Sequence, residues 1–256
     1  MDRELTRVEE VKMTYGVKKS RTPAKLDYIQ SATGLTLALF MWGHMMLVSS
    51  ILLGEEAMYT VTKFLEGQFV FGESYPLLVS GAAGFIFIVF IAHAAVAIRK
   101  FPGSFKEYRI YRAHMKRMKH SDTNLWFYQV FTAFVMFFLG SVHLYIIMTN
   151  PSEIGPYASA DRIVSEWMAP LYILLLLAVE FHGSIGLYRL AIKWGWFEGK
   201  DAKKSRKRLK VYKWFITVFF LVLGFLSLAA YIKIGISHQD KVGERYVPTS
   251  IERGVH

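Results

Sequence analysis

No cysteine occurs anywhere in the sequence. That absence excludes disulfides, iron–sulfur clusters held by this chain, and prosthetic groups attached through thioether bonds. Any metal held here must take His, Met or carboxylate ligands, or sit in a partner subunit. The first 25 residues are polar and basic and lack the apolar core of a signal peptide, so the first apolar helix is expected to direct insertion itself. No internal repeat, low-complexity tract or glycine-rich phosphate motif is present. Charge is nearly missing from five long apolar runs. Segments 28–53, 76–98, 123–149 and 214–232 carry none, and 167–188 carries Glu180 alone.

What is present is 53% hydrophobic residues together with a formal net charge of +11. A soluble domain rarely combines the two, whereas a membrane protein places its charges in the loops. Each run is long enough to cross a bilayer, which needs about 20 apolar residues, and none alternates as a barrel strand would. The expected fold is therefore an all-α integral membrane protein, a bundle of five transmembrane helices. Lys and Arg sort by side. The tail before helix one has seven, segment 99–119 has eight and segment 193–213 has nine, whereas 54–75 holds only Lys63 and 150–165 only Arg162. By the positive-inside rule the N-terminus is cytoplasmic and the C-terminus lies outside. The expected organisation is a cytoplasmic segment 1–27, a membrane domain 28–236 and an outer tail 237–256. The basic surface is read as a topology signal with acidic lipid or partner contact, not as a nucleic-acid interface. The run at 203–210 is read as a solvated charged lead-in to helix five.

Eight histidines occur. His114, His120, His238 and His256 lie in polar segments and are read as solvated. His44, His93, His143 and His182 each lie inside a different apolar helix, and helix five has none. Intramembrane ionisable groups are rare and usually functional, and four placed one per helix outweigh the bland reading of helix-contact histidines. Depth sorts them into an outer pair, His44 with His143, and an inner pair, His93 with His182. A bis-histidine b haem needs two imidazoles on facing helices at matched depth. Two b haems between helices one to four are thus expected. Gly140 and Gly186 lie on the histidine faces of their helices. Haem propionates need donors and cations near the membrane surface. Arg189 and Lys193 share the face of His182, Gln30 and Ser31 open helix one at that level, Trp126 opens helix three, and Arg162 is the cation available to the outer haem. A haem-free transporter with structural histidines remains the alternative from a different class.

The stretches PAKLDYIQSATGL, MWGH at His44, FIAHAAVAIRKFP around His93, FFLGSVHLYIIMTNP around His143 and VEFHGSIGLYRLAIKWGWF around His182 resemble one known family. It is the dihaem cytochrome b subunit of quinol:fumarate reductases, of the five-helix single-anchor type found with menaquinone. The resemblance covers residues 23–231. It implies a membrane anchor for an FAD-bearing flavoprotein subunit, where fumarate is reduced, and an iron–sulfur subunit. A dimer of such heterotrimers is compatible with it. It implies menaquinol as substrate, electrons passing from the outer haem to the inner one, and a bacterial inner-membrane location. The family's haem ligands fall on His44, His93, His143 and His182, and its inner propionate contacts on Gln30, Ser31, Trp126 and Lys193. The same parts could run in reverse as a succinate:quinone reductase.

Two glutamates complete the candidates. Glu180 is the acid inside a span, where an ionised carboxylate costs several kcal/mol. It is expected to be a proton relay beside the haems, set against a structural hydrogen-bonded role. Glu66 lies in the outer loop among Phe64, Phe69 and Phe71. It is expected to accept a proton when menaquinol is oxidised, set against a solvated loop carboxylate.

Overall fold

The computed structural model describes residues 20–118 and 121–248. His120, His256 and most of segment 1–27 fall outside them. Among the described residues the regular structure is entirely helical. Helix α1 spans Thr22–Val48 and tightens into a 3-10 turn at Ser49–Leu53. Glu55–Leu65 forms α2, Gln68–Phe71 the one-turn α3, and Leu77–Ile98 forms α4. Phe105–Met118 is α5 and Ser121–Thr149 is α6. Pro156–Val164 is α7, Ala169–Lys193 is α8 and Ala202–Ser237 is α9. Among the described residues five helices are long and apolar enough to cross a membrane: α1 with its 3-10 turn, α4, α6, α8 and α9. Large apolar side chains such as Ile88, Phe131, Phe138, Phe215 and Val222 face outward. Such a surface would be costly in water and is ordinary against lipid.

Helix ends depart from the hydropathy reading where charged residues continue a helix. The helix α9 starts at Ala202, not at 214, and takes in the 203–210 charge run. Lys and Arg are good helix formers, and Asp201 caps the start, its Oδ1 accepting Lys204 N at 3.0 Å. Likewise α8 runs on to Lys193, and α1 begins at Thr22 because Pro23 fits the first turn, where its missing N–H costs nothing. Three of the connecting segments are themselves helical, as α2, α5 and α7.

The packing order positions the candidate site. Neighbouring helices pack α1 on α4, α4 on α6, α6 on α8, and α8 back on α1. These four close a ring. The helix α9 lies outside it, against α8, α1 and α7. That seam is tight because Gly235 lets α9 meet α7. A Cβ there would sit 2.6 Å from Val164 Cγ2 and 2.7 Å from the Ala160 carbonyl, so small residues set the approach. At the same end Ser227 Oγ donates to Ser49 Oγ at 3.0 Å, and Ile51, Met58, Ala160, Ile163, Leu228 and Tyr231 form a buried apolar cluster. The lysine-rich and arginine-rich segments gather at the other end, called the basic end below.

Candidate functional site

Each helix of the ring carries one of the four apolar-segment histidines, and α9 carries none. The pairs form across the ring, not along it. His44 of α1 faces His143 of α6 with ring centres 6.1 Å apart. His93 of α4 faces His182 of α8 at 6.4 Å. Each pair therefore spans one diagonal, between helices that are not close-packed neighbours. A metal bonded to an imidazole nitrogen at about 2.0–2.1 Å, with that nitrogen ~1.1 Å from its ring centre, puts the centres of two opposed ligands ~6.3 Å apart. Both ring-centre separations match that spacing.

The two pairs lie at different levels. His93 is level with Thr33, and His182 with Gln129, through the contacts described next. Thr33 to His44 is eleven residues along α1 and Gln129 to His143 fourteen along α6, which separates the levels by roughly 16–21 Å. The His93–His182 pair is the one toward the basic end.

Hydrogen bonds fix the tautomers of that pair. His182 Nδ1 lies 2.9 Å from the Gln129 carbonyl, which can only accept, so the proton sits on Nδ1 and Nε2 keeps its lone pair. His93 Nδ1 lies 3.1 Å from Thr33 Oγ1. The Thr33 hydroxyl spends its proton on the Ile29 carbonyl at 2.7 Å and so accepts from His93, leaving that Nε2 free as well. Neither Thr33 nor the Gln129 carbonyl is among the sequence candidates; they orient the two ligand rings in the way that ligand histidines need. At the other level Phe40 stacks on His44 at 5.7 Å and the Tyr172 ring meets His143 edge-on at 5.6 Å. His143 Nδ1 and Gln30 Oε1 are buried with no protein partner among the described residues. Such orphaned atoms beside histidine pairs are consistent with a pocket shaped for an additional group.

At the basic end Lys193 Nζ lies 3.4 Å from Ser31 Oγ and 3.3 Å from Asp27 Oδ2. Asp27 also holds Lys100 at 3.1 Å and pairs with Arg99. One carboxylate thus gathers three cations from α8 and the end of α4, leaving surplus positive charge suited to an anion such as a propionate. Ser31 and Lys193 lie together there, and Gln30, the residue before Ser31, has its side-chain oxygen buried without a partner among the described residues. Trp126 packs on Tyr111 at 4.7 Å between ring centres. At the far end Arg162 is not a loop cation but part of α7 and buried, donating to the Glu153 carbonyl at 2.7 Å.

The family model of succinate dehydrogenase/fumarate reductase transmembrane subunits matches residues 106–223. The fumarate reductase cytochrome b subunit of Wolinella succinogenes is 56% identical over 223 residues, covering 87% of each chain. Its counterpart from Helicobacter pylori strain J99 is 52% identical over 225 residues, covering 88% of this chain and 87% of that one. This chain belongs to the succinate dehydrogenase/fumarate reductase transmembrane subunits. It is accordingly a multi-pass subunit of an oxidoreductase complex, and the cytochrome b character of its relatives implies that it binds haem.

In this subunit both glutamates are buried. Glu66, expected in a solvated loop on the bland reading, follows the last residue of α2 and is 2% exposed. Its Oε2 pairs with Lys63 Nζ at 2.6 Å, a spacing of three residues that a helix brings onto one face. The aromatics Phe64, Phe69 and Phe71 point outward. Glu180 is 1% exposed, and its Oε1 has no partner among the described residues. It shares a buried stripe of α8 with Leu176 and Ser184. Of the four histidines read as solvated, His114 is on an exposed face of α5, but His238 is buried at 5% exposure against Asp161. The solvated reading of His238 is therefore corrected: α9 runs to Ser237 and delivers His238 to its own buried face.

The glycine that touches a ligand candidate is Gly34, not Gly140 or Gly186. A Cβ on Gly34 would stand 2.9 Å from His93 Cε1. Gly34→Ala is expected to push the His93 ring off its Thr33 bond and lower haem retention in the purified complex. Losses of 10–100-fold in affinity are usual when an orienting partner of a metal ligand goes. Unchanged haem content and an unchanged reduced spectrum would show that the ring is not held there by this close approach.

Proposed function

We infer that this chain is the membrane-anchoring cytochrome b subunit of a fumarate reductase, carrying two b haems and oxidising menaquinol in a bacterial inner membrane. The observation that carries the reading is the pair of crossed histidine diagonals at two levels of one four-helix ring. His44 and His143 would hold the outer haem and His93 and His182 the inner one. Each haem, when bound, supplies a one-electron carrier. Gln30, Ser31, Trp126 and Lys193 would anchor the inner propionates, and Arg162 the outer ones. The basic end faces the cytoplasm, where an FAD-bearing flavoprotein subunit and an iron–sulfur subunit would dock; the C-terminus faces the periplasm.

Glu66 accepts a proton as menaquinol is oxidised near the outer pair. Glu180 carries a proton inward. Moving an electron across the membrane against its potential costs ~2.3 kcal/mol per 100 mV, and a proton moving with it cancels that charge. Glu180 fits the role as the acid far from either end of a span, buried and with an oxygen that has no partner among the described residues. The Glu180→Gln variant is expected to keep both haems and lose quinol-dependent turnover by roughly 10²-fold. Full turnover in that variant would remove the relay.

The deciding measurement is a dithionite-reduced minus oxidised spectrum of the purified complex, with a pyridine haemochrome assay. Two b haems per chain are expected. One haem would make one histidine pair structural, and none would return the chain to the transporter reading.

A further inference from the structure

Helix α9 has two unlike faces. The inner one packs on α8 and α1. Phe220 stacks on Trp42 of α1, and a Cβ on Gly224 would meet Leu176 of α8 and Met45 of α1. The outer face exposes Val211, Trp214, Phe215, Val218, Phe219 and Val222, which line an open groove of about 900 Å³. From Val211 to Val222 the groove runs ~16 Å, about half of a ~30 Å hydrocarbon core and so the depth of one leaflet. Its upper wall is fixed from behind. Phe181 of α8 meets the Trp214 ring edge-on at 6.4 Å, and Lys213 Nζ lies 3.3 Å from the centre of that ring. Tryptophan in such a place marks the headgroup level of a membrane helix.

Toward the basic end the groove runs into a second cavity of about 570 Å³, and Lys207 and Lys210 line both. Lys203, Arg206 and Asp122 of α6 complete the charged lining, so four cations face one carboxylate. Asp122 is committed to Lys210 at 2.7 Å and accepts from the Tyr188 hydroxyl at 3.2 Å. That pairing steadies Lys210 at the mouth of the groove. Lys203, Arg206 and Lys207 pair with no carboxylate among the described residues, which leaves a positive surplus that suits a phosphate. Lys203, Lys207, Lys210 and Trp214 follow one another at four, three and four residues, a spacing that puts them on one face of α9.

We propose that this face of α9 is a binding site for an anionic phospholipid of the leaflet at the basic end, its phosphate among Lys203, Arg206, Lys207 and Lys210 and an acyl chain along the groove. Charge and groove together select this occupant. A water-soluble partner subunit covers the cations but cannot follow a groove that descends ~16 Å into hydrocarbon. A second copy packed α9 on α9 about an axis along the membrane normal sets equal cations against each other, which is costly. A zwitterionic headgroup brings its own ammonium to the same cations, so the site selects a lipid of net negative charge. Neither the histidine pairs nor the two glutamates enter the proposal.

The test is native mass spectrometry of the purified complex, partner subunits included, in detergent with added phosphatidylglycerol or phosphatidylcholine. The unaltered complex is expected to retain phosphatidylglycerol in preference, and to lose that preference as salt is raised. The double variant Lys203→Gln with Lys207→Gln keeps good helix formers at two exposed positions. It is expected to bind phosphatidylglycerol about 30-fold more weakly, the scale of two charges lost beside an anionic lipid, with phosphatidylcholine binding unchanged. Phosphatidylglycerol carrying a photoreactive acyl chain is expected to label residues 211–222 in the unaltered complex. Equal retention of the two lipids, or labelling that avoids α9, overturns the proposal. So does release of the partner subunits by the double variant with phosphatidylglycerol still held, which gives the cations to that interface. Cross-links joining α9 of two copies give the groove to a second copy and overturn it as well. Should the double variant not assemble, the salt dependence and the labelling of the unaltered complex decide.

Discussion

Replacing His93 with alanine is expected to roughly halve the haem content of the complex and to abolish electron delivery from quinol to fumarate. The tautomer is the reason. The Thr33 hydroxyl has spent its proton on the Ile29 carbonyl and can only accept from His93 Nδ1. The Nε2 lone pair is therefore free, as it is on His182, whose Nδ1 is held by the Gln129 carbonyl. Two imidazoles with free Nε2 lone pairs, their ring centres 6.4 Å apart, would make a ligand pair that a methyl group cannot replace. The outer pair shares neither partner and sits roughly 16–21 Å away, so its haem should remain in the variant with an unshifted spectrum. His44→Ala should give the mirror result. Pyridine haemochrome analysis with dithionite-reduced spectra checks both. Two haems retained in His93→Ala would mean that the inner pair is not a ligand pair.

These histidines are legible in the sequence because both steps need only one helix at a time. An apolar run reports its own span, and a residue's place along the run reports its depth. Two residues at one depth on two helices then suffice for a pair. What is not legible depends on the rotation of one helix relative to another. Nothing in Thr33 or Gln129 says that α1 and α6 turn those groups toward histidines of other helices, and Gly34 looks like any membrane-helix glycine until His93 lies on it. A second kind of miss comes from where helices stop. Hydropathy ends a helix at its first charges, which halts α9 at 232 and leaves His238 in a polar tail. Extended to Ser237, the same helix puts Tyr231, Gly235 and His238 on one stripe, and the buried histidine becomes predictable. The burial of Arg162 and Glu66 is hidden for the related reason that hydropathy treats segments between spans as loops. In an amphipathic helix such as α7, a lone cation can be buried at 4% exposure.

Glu66→Gln is expected to slow menaquinol oxidation by roughly 10²-fold or more, the scale of a lost general base, while both haems stay bound and reducible by dithionite. The side chain is nearly isosteric, so the cost is chemical. An amide at this position has no carboxylate to take up the proton that quinol releases. The burial of Glu66 at 2% exposure argues against a solvated role. Its bond to Lys63 engages Oε2 and leaves Oε1 outside the ion pair. Lys63, 25% exposed in its side chain, would then hold the carboxylate in place. Lys63→Gln is accordingly expected to reduce turnover less than Glu66→Gln does, since it loosens the base without removing it. The rival is a purely structural ion pair closing the end of α2. It predicts the opposite order of severity. In Glu66→Gln the buried amide would keep a hydrogen bond to Lys63 and the complex would turn over normally, whereas Lys63→Gln would leave a buried carboxylate without its cation, a costlier defect. Quinol-dependent turnover of the two variants, each normalised to its haem content, separates the two accounts.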